Sequence, residues 1–260
     1  MTRRTFRRYT PLALGALSTS LSATGLASAT LLSLTVLYGE AQALSHKPFD
    51  TILRTYVRNG RVDYAGIKAN AKGPLDAYVA ALGKARPGGS TNAQKAFYFN
   101  AYNALVIKAV IDRWPSITSV AKVPGFFKRI RYRVAGRSLT LDQLEKEVIL
   151  ARYKDARTHF ALVCGARSCP PLSSRAFAAR GLDRVLDRLA RRFINGKEGV
   201  VKSRRGFKIS KLFAWYAQDF TAAEGSVGKY LAKYHRAHAA ALKAASSFAH
   251  LPYDWALNKK

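Results

Sequence analysis

Between Ala96 and Ile111 the chain reads AFYFNAYNALVIKAVI, apolar on nearly every face of a helix. A helix with almost no polar side must be enclosed by protein, so this segment predicts the centre of the fold, with the other elements wrapped around it. Thr91 is the expected N-cap. Two residues interrupt the apolar surface. Asn100 and Asn103, at i and i+3, project to the same side. Asparagine is a modest helix former, and a buried amide without partners is costly, so neither is there for propensity. They either pin the backbone of a neighbouring loop or line a binding site.

Shorter elements flank this helix. Phe49 to Val57 reads as an amphipathic helix, Asn59-Gly60 as a turn into Val62-Asp63-Tyr64, and Leu75 to Leu82 as a second helix stopped by Gly83. Lys128 to Val134 alternates, with Ile130, Tyr132 and Val134 on one face and arginines on the other, which predicts a half-exposed strand turning at Ala135-Gly136. Leu141 to Leu150 is expected to be helical, with Glu145 on the stripe of Leu141, Leu144, Val148 and Ile149, so that its carboxylate faces inward or a seam. Thr158 to Cys164 has strand character. Leu182 to Ile194 reads as a basic amphipathic helix and Val200 to Ile209 as a hairpin around Arg205-Gly206, with two helices after it. Helices and strands mix without regular βαβ alternation. The expected class is α+β: a single mixed domain over residues 44–260, with a central buried helix and a small, mostly antiparallel sheet.

Residues 1–43 read as a targeting segment. Thr2-Arg3-Arg4-Thr5-Phe6 has the paired arginines of a twin-arginine export signal, and no charge appears from Pro11 to Tyr38. Ala41-Gln42-Ala43 is the preferred cleavage site, ahead of Ala27-Ser28-Ala29, and an uncleaved anchor is the competing reading. The expected location is the periplasm or another extracytoplasmic space, reached in the folded state.

The formal charge is +29, and removing residues 1–43 takes away four arginines and one glutamate, leaving 40 basic and 14 acidic residues. Such a field attracts anionic envelope components or acidic peptides, although basic residues scattered this evenly also suit a merely soluble surface. No nucleic-acid-binding module is visible, so charge alone supports no specific nucleic-acid partner.

The densest chemistry lies in HFALVCGARSCPPL, residues 159–172. Cys164 and Cys169 suit a disulfide in an oxidising compartment, closing a loop worth about 2 kcal/mol in the chain-entropy model. Alternatively, Cys164 is a thiol nucleophile before a Gly-Ala-Arg turn whose N–H groups and Arg167 lower its pKa. Two thiols and one histidine fall short of a metal site, and no cofactor is expected. On a strand, residues five apart point to opposite faces, which sets His159 against serving Cys164 directly.

These residues resemble the domain of unknown function 547 family. The pieces that carry the resemblance are Val62-Asp63-Tyr64, the run Ala96 to Ala104, Ser138-Leu139 with Leu144-Glu145, and His159 to Leu172. Leu212 to Tyr216 with Asp219-Phe220, and Tyr253 to Asn258, complete it. The resemblance implies that Asn100, Asn103, Glu145, His159 and Cys164 belong to the family pattern. It also implies that a Cys164–Cys169 disulfide is local to some members, since plant relatives carry serine at the second position. It assigns no activity. A fainter similarity to transglutaminase-like thiol enzymes extends to the fold alone. Two functions follow: an envelope binding or scaffold domain with a polar Asn/Glu/His pocket, its binding candidates Asn100, Asn103 and Arg167, or a thiol-dependent hydrolase or acyl transferase using Cys164, His159 and Glu145.

Overall fold

The computed structural model describes residues 44–260, so the expected signal segment and its cleavage sites lie outside the described residues. The chain enters through α1 (Lys47–Tyr56), the two-residue strands β1 (Val57–Arg58) and β2 (Arg61–Val62), α2 (Tyr64–Asn70) and α3 (Lys72–Lys84). It then reaches α4 (Thr91–Ile111), whose 21 residues include 16 that are buried. Phe99, Ala101, Ala104, Ala109 and Val110 are fully enclosed. The cap is Ser90 rather than Thr91: its Oγ accepts from the Ala93 N–H at 3.2 Å. Both hydroxyls suit the position, so composition alone does not choose between neighbours.

Beyond α4, β3 (Arg131–Val134) and β4 (Arg137–Thr140) form an antiparallel hairpin. Its turn is Ala135-Gly136, both at positive φ. The expected helix over 141–150 departs from the α form. It starts as α5 (Leu141–Gln143) behind a capping box from Thr140, continues as a π-helical stretch over Leu144–Leu150, and ends as α6 (Ala151–Tyr153). The apolar stripe still faces the core: Leu141, Leu144, Val148 and Ile149 are buried and Glu145 is half-buried at their edge.

Residues 158–164 are not a strand. Ala156–Phe160 forms a 3-10 turn capped by Asp155, and the chain runs on irregularly to Cys164. The reason lies in what satisfies its backbone. Asn103 Nδ2 donates to the Ala161 carbonyl at 2.9 Å, and Asn103 Oδ1 accepts from the Val163 N–H at 2.9 Å. Asn100 does the same for Phe177, donating to its carbonyl at 2.9 Å and accepting from its N–H at 2.8 Å. Each side-chain amide stands where a neighbouring strand would, so no ladder forms there.

The remaining elements are α7 (Leu182–Ile194), the hairpin β5 (Val200–Ser203) and β6 (Gly206–Ile209), and four short helices where two were expected: α8 (Leu212–Trp215), α9 (Ala217–Glu224), α10 (Val227–Tyr234) and α11 (Ala239–Ala244). Strand β7 (Ala249–His250) adds to β6 in parallel. The class is α+β, with the strands spread over three small sheets whose pairings are antiparallel except β6–β7. The core has two parts. One surrounds α4, and the other is an aromatic cluster of Phe160, Phe193, Phe213, Phe220 and Tyr230. The segment Thr158–Leu162 bridges them, which puts His159 at their junction.

Candidate functional site

A cleft of about 200 Å³ opens at this junction. Glu145, His159, Cys164 and Cys169 are in its wall, as are the aromatic rings of Tyr102, Phe127, Trp215, Tyr216, Tyr253 and Trp255.

Glu145 is the anchor. The Tyr102 hydroxyl donates to its Oε2 at 3.0 Å and the Tyr216 hydroxyl to its Oε1 at 2.5 Å. Burial, and then the negative charge of Glu145, push both tyrosines far above the ordinary phenol range, so they stay protonated as donors. No cation pairs with Glu145 among the described residues: Lys146 turns to Asp142 at 2.7 Å. Each carboxylate oxygen therefore keeps a lone pair for a ligand.

His159 is buried and lies against the Tyr216 ring, with centroids 4.0 Å apart. Its Nε2 meets Asp219 Oδ2 at 2.7 Å, and that hydrogen bond holds the Asp219 carboxyl below its ordinary value. Among the described residues Nδ1 has no partner, leaving one ring nitrogen available on an imidazole oriented by a carboxylate.

Cys164 and Cys169 are joined in a disulfide, and the Tyr253 hydroxyl lies 3.4 Å and 3.3 Å from their sulfurs. In this state there is no free thiol at position 164. With the segment irregular rather than extended, His159 and Cys164 line one cleft, which corrects the expectation that they face opposite ways. Gly165 makes the turn after Cys164 at φ +87°, where a Cβ would stand 3.3 Å from both Val106 Cγ1 and Val120 Cγ1.

The other expected site residues lie elsewhere. Asn100 and Asn103 are buried under the loops they hold and line no part of this cleft. Arg167 is exposed, 3.9 Å from Asp254, and lines a separate cavity with Arg61 and Glu198. It is not in the wall of the cleft that Cys164 lines. Among the described residues no three His, Cys, Asp or Glu side chains gather as metal ligands.

Sequence reasoning gave no role to Tyr102, Asp219 or the aromatic rim. Trp215 is 49% exposed and Trp255 36% exposed, and they stack with centroids 5.7 Å apart and with Tyr253 packed against both. The C-terminal tail carries two of these rings. It is held by Arg167 N–H to Ala256 O at 2.7 Å, Asn258 N–H to Gly165 O at 2.9 Å, and the Tyr64 hydroxyl to Asn258 Oδ1 at 2.7 Å. Exposed aromatics in the motifs around Trp215 and Trp255 were the available signal, since large rings left in water mark binding surfaces.

The model of the family described as "Protein of unknown function, DUF547" matches residues 88–194. Over those residues the chain is similar to that family. The matched stretch contains α4, Glu145, His159 and both cysteines, whereas Trp215, Asp219, Tyr253 and Trp255 lie beyond it. No curated protein and no solved structure matches the chain.

Proposed function

We propose that this protein, whose residues 88–194 match the DUF547 family, is an exported envelope protein whose aromatic cleft binds a peptide-like ligand. The observation that carries the reading is that Trp215 and Trp255 are the exposed large hydrophobic residues among the described ones, and both stand on the rim of this cleft. Rings held in place offer large contact area at little entropic cost. Below them Glu145 has acceptor capacity for an N–H donor, and exposed Lys128 on the wall suits a carboxylate. A peptide carries both groups. Titration of short peptides with free termini into the full-length protein, followed by tryptophan fluorescence, should give a saturable change. Trp215→Ala should weaken binding about tenfold, a hot-spot-sized loss. No saturable response from any peptide would remove the reading.

The thiol-dependent hydrolase or acyl transferase is a second reading, and one observation favours it: His159, backed by Asp219, shares the cleft with Cys164. It requires reduced Cys164, because the thiolate is the nucleophile. The intact mass of exported protein, with and without alkylation under native non-reducing conditions, separates the two. A chain beginning at Leu44, two hydrogens light and without adduct, is the expected result. An adduct on Cys164 would favour the enzyme, and an intact residue 1 would count against cleavage.

A further inference from the structure

We propose that a second cavity, walled by Arg175, Arg180, Arg188 and Arg192, is a binding site for phosphate-type oxyanions. It measures about 290 Å³, lies between residues 173–180 and α7, and shares no residue with the aromatic cleft. All four arginines are exposed, and among the described residues none has a carboxylate within ion-pair distance or a guanidinium hydrogen bond to protein. The acids of α7 are committed elsewhere: Asp183 and Asp187 both turn to Arg157, at 2.8 Å and 3.2 Å.

A strongly basic protein has arginines on most of its surface, so the contrast with its other cavities matters. Asp50 lines a neighbouring cavity that shares Arg175; Asp142 and Glu145 line the aromatic cleft; Glu198 lines the cavity of Arg167, which shares Arg192; and Asp155 and Asp219 line a fourth. The arginine cavity has no acidic residue in its wall. Helix electrostatics do not account for it either. Arg192 suits the last turn of α7, but Arg175 and Arg180 precede its first turn, where a cation is disfavoured. Four like charges around one concavity repel one another until an anion enters. Guanidinium groups match the paired oxygens of phosphate in a way that ammonium groups do not. A phosphate ester has the charge and the oxygens to engage several of them at once, whether it comes from a soluble compound or a lipid headgroup.

The test uses the full-length protein, its Arg180→Gln/Arg188→Gln variant, and an Arg236→Gln/Lys243→Gln control that removes two equally exposed charges outside this cavity. Each is titrated with pyrophosphate by calorimetry, and mixed with phosphatidylglycerol or phosphatidylcholine vesicles in a sedimentation assay. We expect the cavity variant to lose at least tenfold in affinity and the control less than twofold. Pyrophosphate binding identifies a soluble source, and binding only to phosphatidylglycerol vesicles identifies a headgroup. Equal losses in both variants would reduce the effect to net charge and overturn the proposal, as would no binding to either probe.

Discussion

Replacing Asn103 with alanine is expected to destabilise the protein by about 3 kcal/mol, a large share of what holds a domain folded. The side chain is 3% exposed and makes two hydrogen bonds of 2.9 Å, to Ala161 O and from Val163 N. Both of those residues are buried. Truncation removes the bonds and strands an N–H and a carbonyl where water does not reach, at about 1–3 kcal/mol for each orphan. Alanine's better helix propensity returns about half a kcal/mol. Urea unfolding measures the difference, with Asn70→Ala as control. Asn70 is exposed and its one hydrogen bond is long, 3.3 Å, so that change should stay within about 0.5 kcal/mol. A loss under about 1 kcal/mol for Asn103→Ala would mean that the 161–163 segment finds other partners.

That dependence explains which parts of the molecule the sequence reveals. The start and end of α7 are visible because its apolar period is local, and the β3–β4 turn because alternation stops at Ala135-Gly136. The burial of α4 is visible for the same reason. Residues 158–164 have the composition of a strand, but their backbone partner is an amide side chain about sixty positions earlier, and nothing local announces it. The candidate site is hidden in the same way. Glu145 meets Tyr102 and Tyr216, 43 and 71 positions away, and His159 meets Asp219, 60 positions away. Glu145, His159 and Cys164 stand out in the sequence as chemical types. Their joint cleft depends on the bridging segment, and its rim depends on a tail fixed by Tyr64 and Gly165.

The largest single loss is expected from Asp155→Asn, at about 3–5 kcal/mol, because it strands a buried charge. Lys95 projects from α4 with its side chain 7% exposed and reaches Asp155 Oδ2 at 2.5 Å, while Arg157 grips the same carboxylate through Nε and Nη2 at 2.9 Å each. Burial alone would raise the Asp155 pKa. The hydrogen bonds from Arg157 and Lys95 outweigh it and bring the value from 3.8 to about 2. A depressed folded value means that ionised Asp155 stabilises the fold above the unfolded pKa. That contribution, about 2 kcal/mol at neutral pH, fades as pH falls from about 4 through 2, where the folded form takes up its proton. Asparagine retains the shape and no charge, so the variant should lose this segment of acid sensitivity as well as stability at pH 7. Asp155 also caps the 3-10 turn that carries His159, through its Oδ1 and the Arg157 N–H at 3.0 Å. The amide oxygen of asparagine can accept the same N–H, so the variant should keep this cap and lose the charge pairing alone. Urea midpoints of both proteins at pH 7, 4 and 2.5 measure all of this. Parallel pH profiles would show that Lys95 and Arg157 do not hold Asp155 ionised, and the buried charge would then need another account.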